Sequence, residues 1–113
     1  MDELQFEFVN LTPHEIVVRV NDNEVRIKPS GNIARYEVKQ RELGYANGIP
    51  VVKTEYGEIT GLPQKTGNHI YITSSLVASR VPEREDVVSP DTGPTAIRNE
   101  AGQIIAVTRF QKP

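Results

Sequence analysis

The sequence predicts a mainly β protein, a small antiparallel β-barrel or sandwich of hairpins with one short helix, and three observations carry that expectation. Apolar residues recur at every second position over most of the chain, which is the period of a strand with one buried face. Eight glycines and eight prolines cut these runs into short pieces. Only one stretch, after Thr73, changes to helical spacing. Counting the runs gives about seven or eight strands, and a mixed α+β arrangement is the alternative.

Phe6 and Phe8 alternate with Gln5 and Glu7, and then Ile16, Val18 and Val20 alternate with Val17 and Arg19. Asn21-Asp22-Asn23 leads into Val25 and Ile27; such short polar side chains tolerate the left-handed backbone of a tight turn, so residues 16 to 28 read as a hairpin. Pro29-Ser30-Gly31-Asn32 is a turn by composition, after which Ala34, Tyr36 and Val38 alternate with Arg35, Glu37 and Lys39. A loop around Gly44 to Gly48 precedes Ile49 to Glu55, and a second hairpin is expected to turn at Gly57 into Glu58-Ile59-Thr60.

Gly61 to Asn68 reads as a loop and His69-Ile70-Tyr71-Ile72 as a strand. Thr73-Ser74-Ser75 supplies helix N-caps, Leu76 to Val81 a little under two turns, and Pro82 the stop. Pro82 to Pro94 is expected to be a loop of about a dozen residues, a length at which loops are often functional. Thr95 to Arg98, a turn at Asn99 to Gly102, and Gln103 to Phe110 make a third hairpin.

At 113 residues the chain has the size of one domain, residues 1 to 113, and 37 % hydrophobic residues give it a modest core that association with further copies would help. The formal charge of −2 gives no global attraction to nucleic-acid polymers or anionic membranes, so any anion site must be local. Cysteine is absent, which removes disulfides, thiolate metal ligands and cysteine nucleophiles. The acidic opening Met1-Asp2-Glu3-Leu4 does not read as a signal peptide and no apolar run approaches a membrane span, so a cytoplasmic location is the expectation. Without a secretion signal, the triplet Asn10-Leu11-Thr12 is a chance match to a glycosylation acceptor.

Asn10-Leu11-Thr12-Pro13-His14, Gly48-Ile49-Pro50-Val51-Val52, Gly57 to Pro63, Ile70 to Ala78 and Val88 to Pro94 follow one another in an order that resembles a group of small proteins found in bacteriophages and some bacterial genomes. The resemblance spans roughly residues 10 to 109. That group carries no assigned activity and no catalytic residues to transfer. What the resemblance implies is a viral or mobile-element origin, where compact accessory proteins interfere with host systems, and then the host cytoplasm as location.

The candidate chemistry centres on Thr73, Ser74 and Ser75, because free N–H groups and hydroxyls at a helix start attract anions; ordinary capping is the plain alternative. Arg26, Arg35, Arg80, Arg98 and Arg109 lie on expected strands or the helix, and two or three of them converging on the cap would hold a phosphate. Singly they read as solvated outward-facing residues. Ser89, Asp91, Thr92 and Gly93 in the long loop complete the candidate site, and Tyr45 is the aromatic best placed to stack on a base. Tyr36, Tyr56, Tyr71 and Phe110 read more plainly as core or rim aromatics. Two histidines, His14 and His69, are too scattered for a metal motif, and no cofactor is expected. Glu83-Arg84-Glu85-Asp86 reads as a solvated loop or a contact for a basic partner.

Three functions fit these residues. The favoured one is a non-enzymatic binder of a small phosphorylated or nucleotide-like ligand, in its concrete form a phage protein that sequesters a host signalling nucleotide. The second is an interaction or structural protein, such as a virion accessory component, that assembles through exposed strand edges. The third is a small hydrolase built from Ser74 or Ser75, a histidine and Asp91, although no G-x-S-x-G turn surrounds either serine.

Overall fold

A computed structural model describes residues 5–113, so the acidic opening Met1-Asp2-Glu3-Leu4 lies outside the described residues. The strands are β1 (Glu7–Asn10), β2 (Ile16–Val20), β3 (Asn23–Ile27), β4 (Arg35–Ala46), β5 (Ile49–Thr60), β6 (His69–Ile72), β7 (Val87–Pro90), β8 (Ile97–Arg98), β9 (Ile104–Ala106) and β10 (Phe110–Gln111); the helix α1 (Ser75–Ser79) lies between β6 and β7. The mainly β class is as predicted, but no barrel closes. A four-stranded sheet in the order β1-β6-β7-β10 is joined by three separate two-stranded ribbons, β2-β3, β4-β5 and β8-β9.

The central sheet departs from the expected antiparallel hairpins, because β1 pairs with β6 in parallel and β6 with β7 in parallel, with only β10 antiparallel at the edge. β6, α1 and β7 therefore form a crossover unit, and the stretch expected to be one long loop from Pro82 to Pro94 contains β7. Parallel strands need cover on both faces, and period-2 alternation supplies it. Tyr71 and Val87 face α1 and pack with Leu11, Ala34, Val77 and Ala78, while Ile72 and Val88 face the other way and pack with Ile16, Val107, Val18 and Ile27 of the small ribbons. The order through the molecule is α1 with the root of β4-β5, then the sheet, then the small ribbons. Each fully buried Leu11, Ile72, Val77 or Val87 side chain contributes about 1.5–3 kcal/mol through burial.

Asn10, expected only as a chance glycosylation triplet, is a structural knot. It is 1 % exposed; its Nδ2 donates to the carbonyls of His14 at 2.8 Å and Ile27 at 3.0 Å, and its Oδ1 accepts from the N–H and hydroxyl of Thr12. One side chain thus ties the end of β1 to the turn before β2 and to the end of β3.

The predicted turn at Asn21 and Asp22 forms with positive φ at both residues, as a two-residue hairpin requires. The second hairpin differs from expectation. Its turn is at Asn47 and Gly48, with φ of 51° and 81°, and Gly57 lies inside β5 as part of a bulge opposite Glu37. Gly57 is close-packed there, since a Cβ would lie 2.9 Å from that of Glu37. The result is one ribbon of two twelve-residue strands. Among the described residues these strands pair with no third strand. The ribbon projects: the radius of gyration is 17.0 Å and the longest extent 56 Å, against about 13 Å expected for a compact chain of this length. No described helix is long and apolar enough to cross a membrane.

Candidate functional site

The structure distributes the predicted site residues over several places. Thr73 is fully buried, its N–H donates to the Val88 carbonyl at 2.9 Å and its hydroxyl to the Ser74 carbonyl at 3.0 Å, so it holds the junction together. Ser74 is the N-cap, with extended backbone and its Oγ accepting from the Val77 N–H at 3.3 Å. The helix it starts has only five residues, too short to build much of a dipole. Capping therefore accounts for Thr73 and Ser74.

The arginines do not converge on that cap. Arg80 lies over the Tyr56 ring at 5.7 Å. Arg109 donates Nε to Asp91 Oδ2 at 2.7 Å, and Arg35 is exposed at the root of the ribbon. Asp91 also accepts from the Gly93 N–H at 3.0 Å, folding Asp91-Thr92-Gly93 into a closed turn. The hydrogen bond from Arg109, followed by that from Gly93, holds the Asp91 carboxyl below its usual range. Ser89 is buried on β7, and Tyr45 sits 70 % exposed near the tip of the ribbon.

Besides Arg109 and Asp91, two more predicted residues meet. Ser75 and Ser89 line an open cleft of about 300 Å³ between α1 and the chain end, with Ser79, Gln111 and Lys112. The Lys112 ammonium is already engaged, donating to the carbonyls of Arg84 at 2.7 Å and Val87 at 3.4 Å. Of the groups in the hydrolase alternative, Ser74 caps the helix, His69 lies against Thr66 and Glu7, and Asp91 is paired with Arg109, while Ser75 lines the cleft.

Sequence reasoning missed two features. The first is in the run read as a solvated acidic loop. Glu83 and Glu85 are exposed, but Asp86 is buried and receives two hydrogen bonds from Arg84, Nε to Oδ1 at 2.8 Å and Nη2 to Oδ2 at 2.9 Å. Arg84 Nη2 also donates to the Pro63 carbonyl at 2.8 Å, clamping the loop after β5. The bond from Arg84 outweighs the effect of burial and holds the Asp86 carboxyl below its ordinary range.

The second is the β4-β5 ribbon. Its register places Tyr36, Val38, Tyr45, Val52, Tyr56 and Ile59 on one face, and Arg35, Lys39, Arg41, Lys53 and Glu55 on the other. At the root, Tyr36 and Ile59 pack on the core, and Tyr36 meets Tyr56 edge-on at 5.1 Å. Farther out the same face leaves cover, with Val38 51 % exposed, Val52 44 % and Tyr45 70 %, and it also carries Gln40, Glu42 and Thr54; Ile49 and Val51, 66 % and 40 % exposed, fall on the face of Lys53 and Glu55. The charged face carries Arg41 and Glu55 at 3.5 Å. The alternation was legible in the sequence, but the uncovered length was not.

Compared with known proteins, the chain matches no family model, no curated protein and no solved structure.

Proposed function

We propose that this chain is a structural or interaction protein that assembles with further copies of itself through the β4-β5 arm. The observation that carries the reading is the arm itself, a projecting ribbon with exposed apolar residues along its length, from Val38, Val52 and Tyr56 to Leu43, Tyr45 and Ile49, the last three more than half exposed near the tip. A two-stranded ribbon is marginal alone in water, and contiguous exposed apolar surface marks an interaction site. Both long strands also present free edges, the usual template for strand addition. On the resemblance to phage proteins, the setting is a virion accessory or mobile-element role in the host cytoplasm.

Shortening the arm tests this. Replacing residues 40–54 by Asn-Gly keeps Lys39 opposite Glu55 and restores a two-residue turn. Light scattering should give the full chain a mass above one copy and the shortened chain the mass of one, with a cooperative thermal unfolding transition retained. A full chain that stays at single-copy mass at every concentration, or a shortened chain that assembles equally, ends this reading.

A small-anion binder is the second reading, supported by the cleft that Ser75, Ser89 and Lys112 line together. A thermal-shift screen against mono-, di- and cyclic nucleotides tests it: stabilisation that grows with concentration and is lost in Ser75→Ala supports it, and a flat screen removes it.

A further inference from the structure

We infer that two copies join edge to edge through β5, antiparallel about a two-fold axis at Thr54; this rests on the reading of the arm as the assembly surface and specifies its geometry. The free edge of β5 follows from the turn. Asn47 and Gly48 form a two-residue hairpin loop, so Ala46 and Ile49 are a hydrogen-bonded pair, and alternation then turns the N–H and C=O of Lys53 and Glu55 toward β4. Those of Pro50, Val52, Thr54 and Tyr56 point outward. Pro50 fits that assignment, because a residue without an N–H belongs at an outward position. Bulges at Leu43 and Gly57 bound the regular stretch, leaving Val52 to Tyr56 as an uninterrupted edge.

That edge is complementary to itself. With Thr54 opposite Thr54 of a second copy, Lys53 faces Glu55 and Val52 faces Tyr56, each pair occurring twice. Opposite charges, a β-branched residue against an aromatic, and paired threonines are the favourable cross-strand combinations. The outward groups of Val52, Thr54 and Tyr56 then exchange about six backbone hydrogen bonds. Val52 and Tyr56 lie on one face and Lys53 and Glu55 on the other in both copies, so the joined arms make a four-stranded sheet with Val38, Val52 and Tyr56 of both copies on the same side. The β4 edge is not built this way. Pairing it with itself about Gln40 sets Lys39 against Arg41, and about Val38 sets Glu37 against Lys39 but Arg35 against Arg41, so each register carries like-charge pairs.

The test uses charge exchange on the full chain, read by sedimentation over a range of concentrations. Lys53→Glu alone and Glu55→Lys alone each convert both cross-strand pairs to like charges and should weaken the homodimer about tenfold or more. Mixing the two variants restores opposite charges at both positions, so dimers should return as heterodimers, and the double exchange in one chain should dimerise as the wild type does. Thr54→Pro, which removes an outward N–H and leaves the ladder to β4 intact, should give single copies. Recovery on mixing can occur only if the single variants are folded. Assembly that depends on the arm but is indifferent to these substitutions overturns the Thr54-centred pairing while the assembly reading stands. A wild-type chain that never exceeds single-copy mass overturns both.

Discussion

Replacing Asp86 by alanine should destabilise the protein by about 2–3 kcal/mol. The carboxylate is 5 % exposed and holds Arg84, itself 21 % exposed, through two hydrogen bonds. Removing one partner of a fully buried pair costs about 3–5 kcal/mol because the other charge is left without compensation. Arg84 keeps the Pro63 carbonyl and a fifth of its surface in water, which lowers the figure to the range given. In urea titrations at neutral pH, with slopes of about 1–3 kcal/mol per molar, the midpoint should fall by about 1–2 M. The pH dependence supplies a second reading of the same pair. Because the folded-state pKa of Asp86 lies below its ordinary 3.8, the unfolded chain binds the proton more readily, and stability rises with pH. The contribution is complete above the unfolded value, so the gap between wild type and variant should begin to close only below 3.8 and go on closing as pH falls through the folded one. A midpoint change worth less than about 0.5 kcal/mol, or a gap that does not close in acid, would refute the assignment of Arg84 and Asp86 as a working pair.

Asn10→Ala removes four hydrogen bonds, leaving the Ile27 carbonyl without its side-chain donor and the His14 carbonyl with the Thr12 hydroxyl alone; a loss of about 2–4 kcal/mol by chemical denaturation is expected, and less than about 1 would show that water replaces the amide. Gly61 has φ of +81° and a Cβ there would lie 2.3 Å from the Ile33 carbonyl oxygen, whereas Gly67, at φ of +91°, has open space around it. Gly61→Ala should therefore cost well over the roughly 1 kcal/mol of backbone strain expected for Gly67→Ala, and equal costs would rule out the close approach. The Asp91 carboxyl should titrate below 3.8 by NMR and move upward in Arg109→Ala; an unmoved midpoint would mean that Arg109 is not its main partner.

Local chemistry was enough to place the elements that depend on neighbours in sequence. Alternation located β1, β2, β3 and β6, the pair Asn21 and Asp22 located a turn because their backbone must go left-handed, and Ser74 located a helix start because its hydroxyl reaches an N–H three residues on. Even there, Gly57 misled: a glycine inside a strand marks either a turn or a bulge, and only Glu37 across the ladder decides for the bulge. Strand direction depends on partners distant in the chain, and the same alternating run serves parallel or antiparallel pairing, so the parallel alignment of β1 with β6 was not legible. Nor was the burial of Asp86 between charged neighbours, since polar residues enter a core only when a partner from elsewhere meets them. The sequence by itself determined the mainly β class, the local turns and the cap; tertiary structure decided which way the central strands run, that the arginines disperse rather than converge, and that one hairpin extends beyond the core and leaves its apolar face uncovered, because each of these depends on what packs against a residue and not on the residue's own preferences.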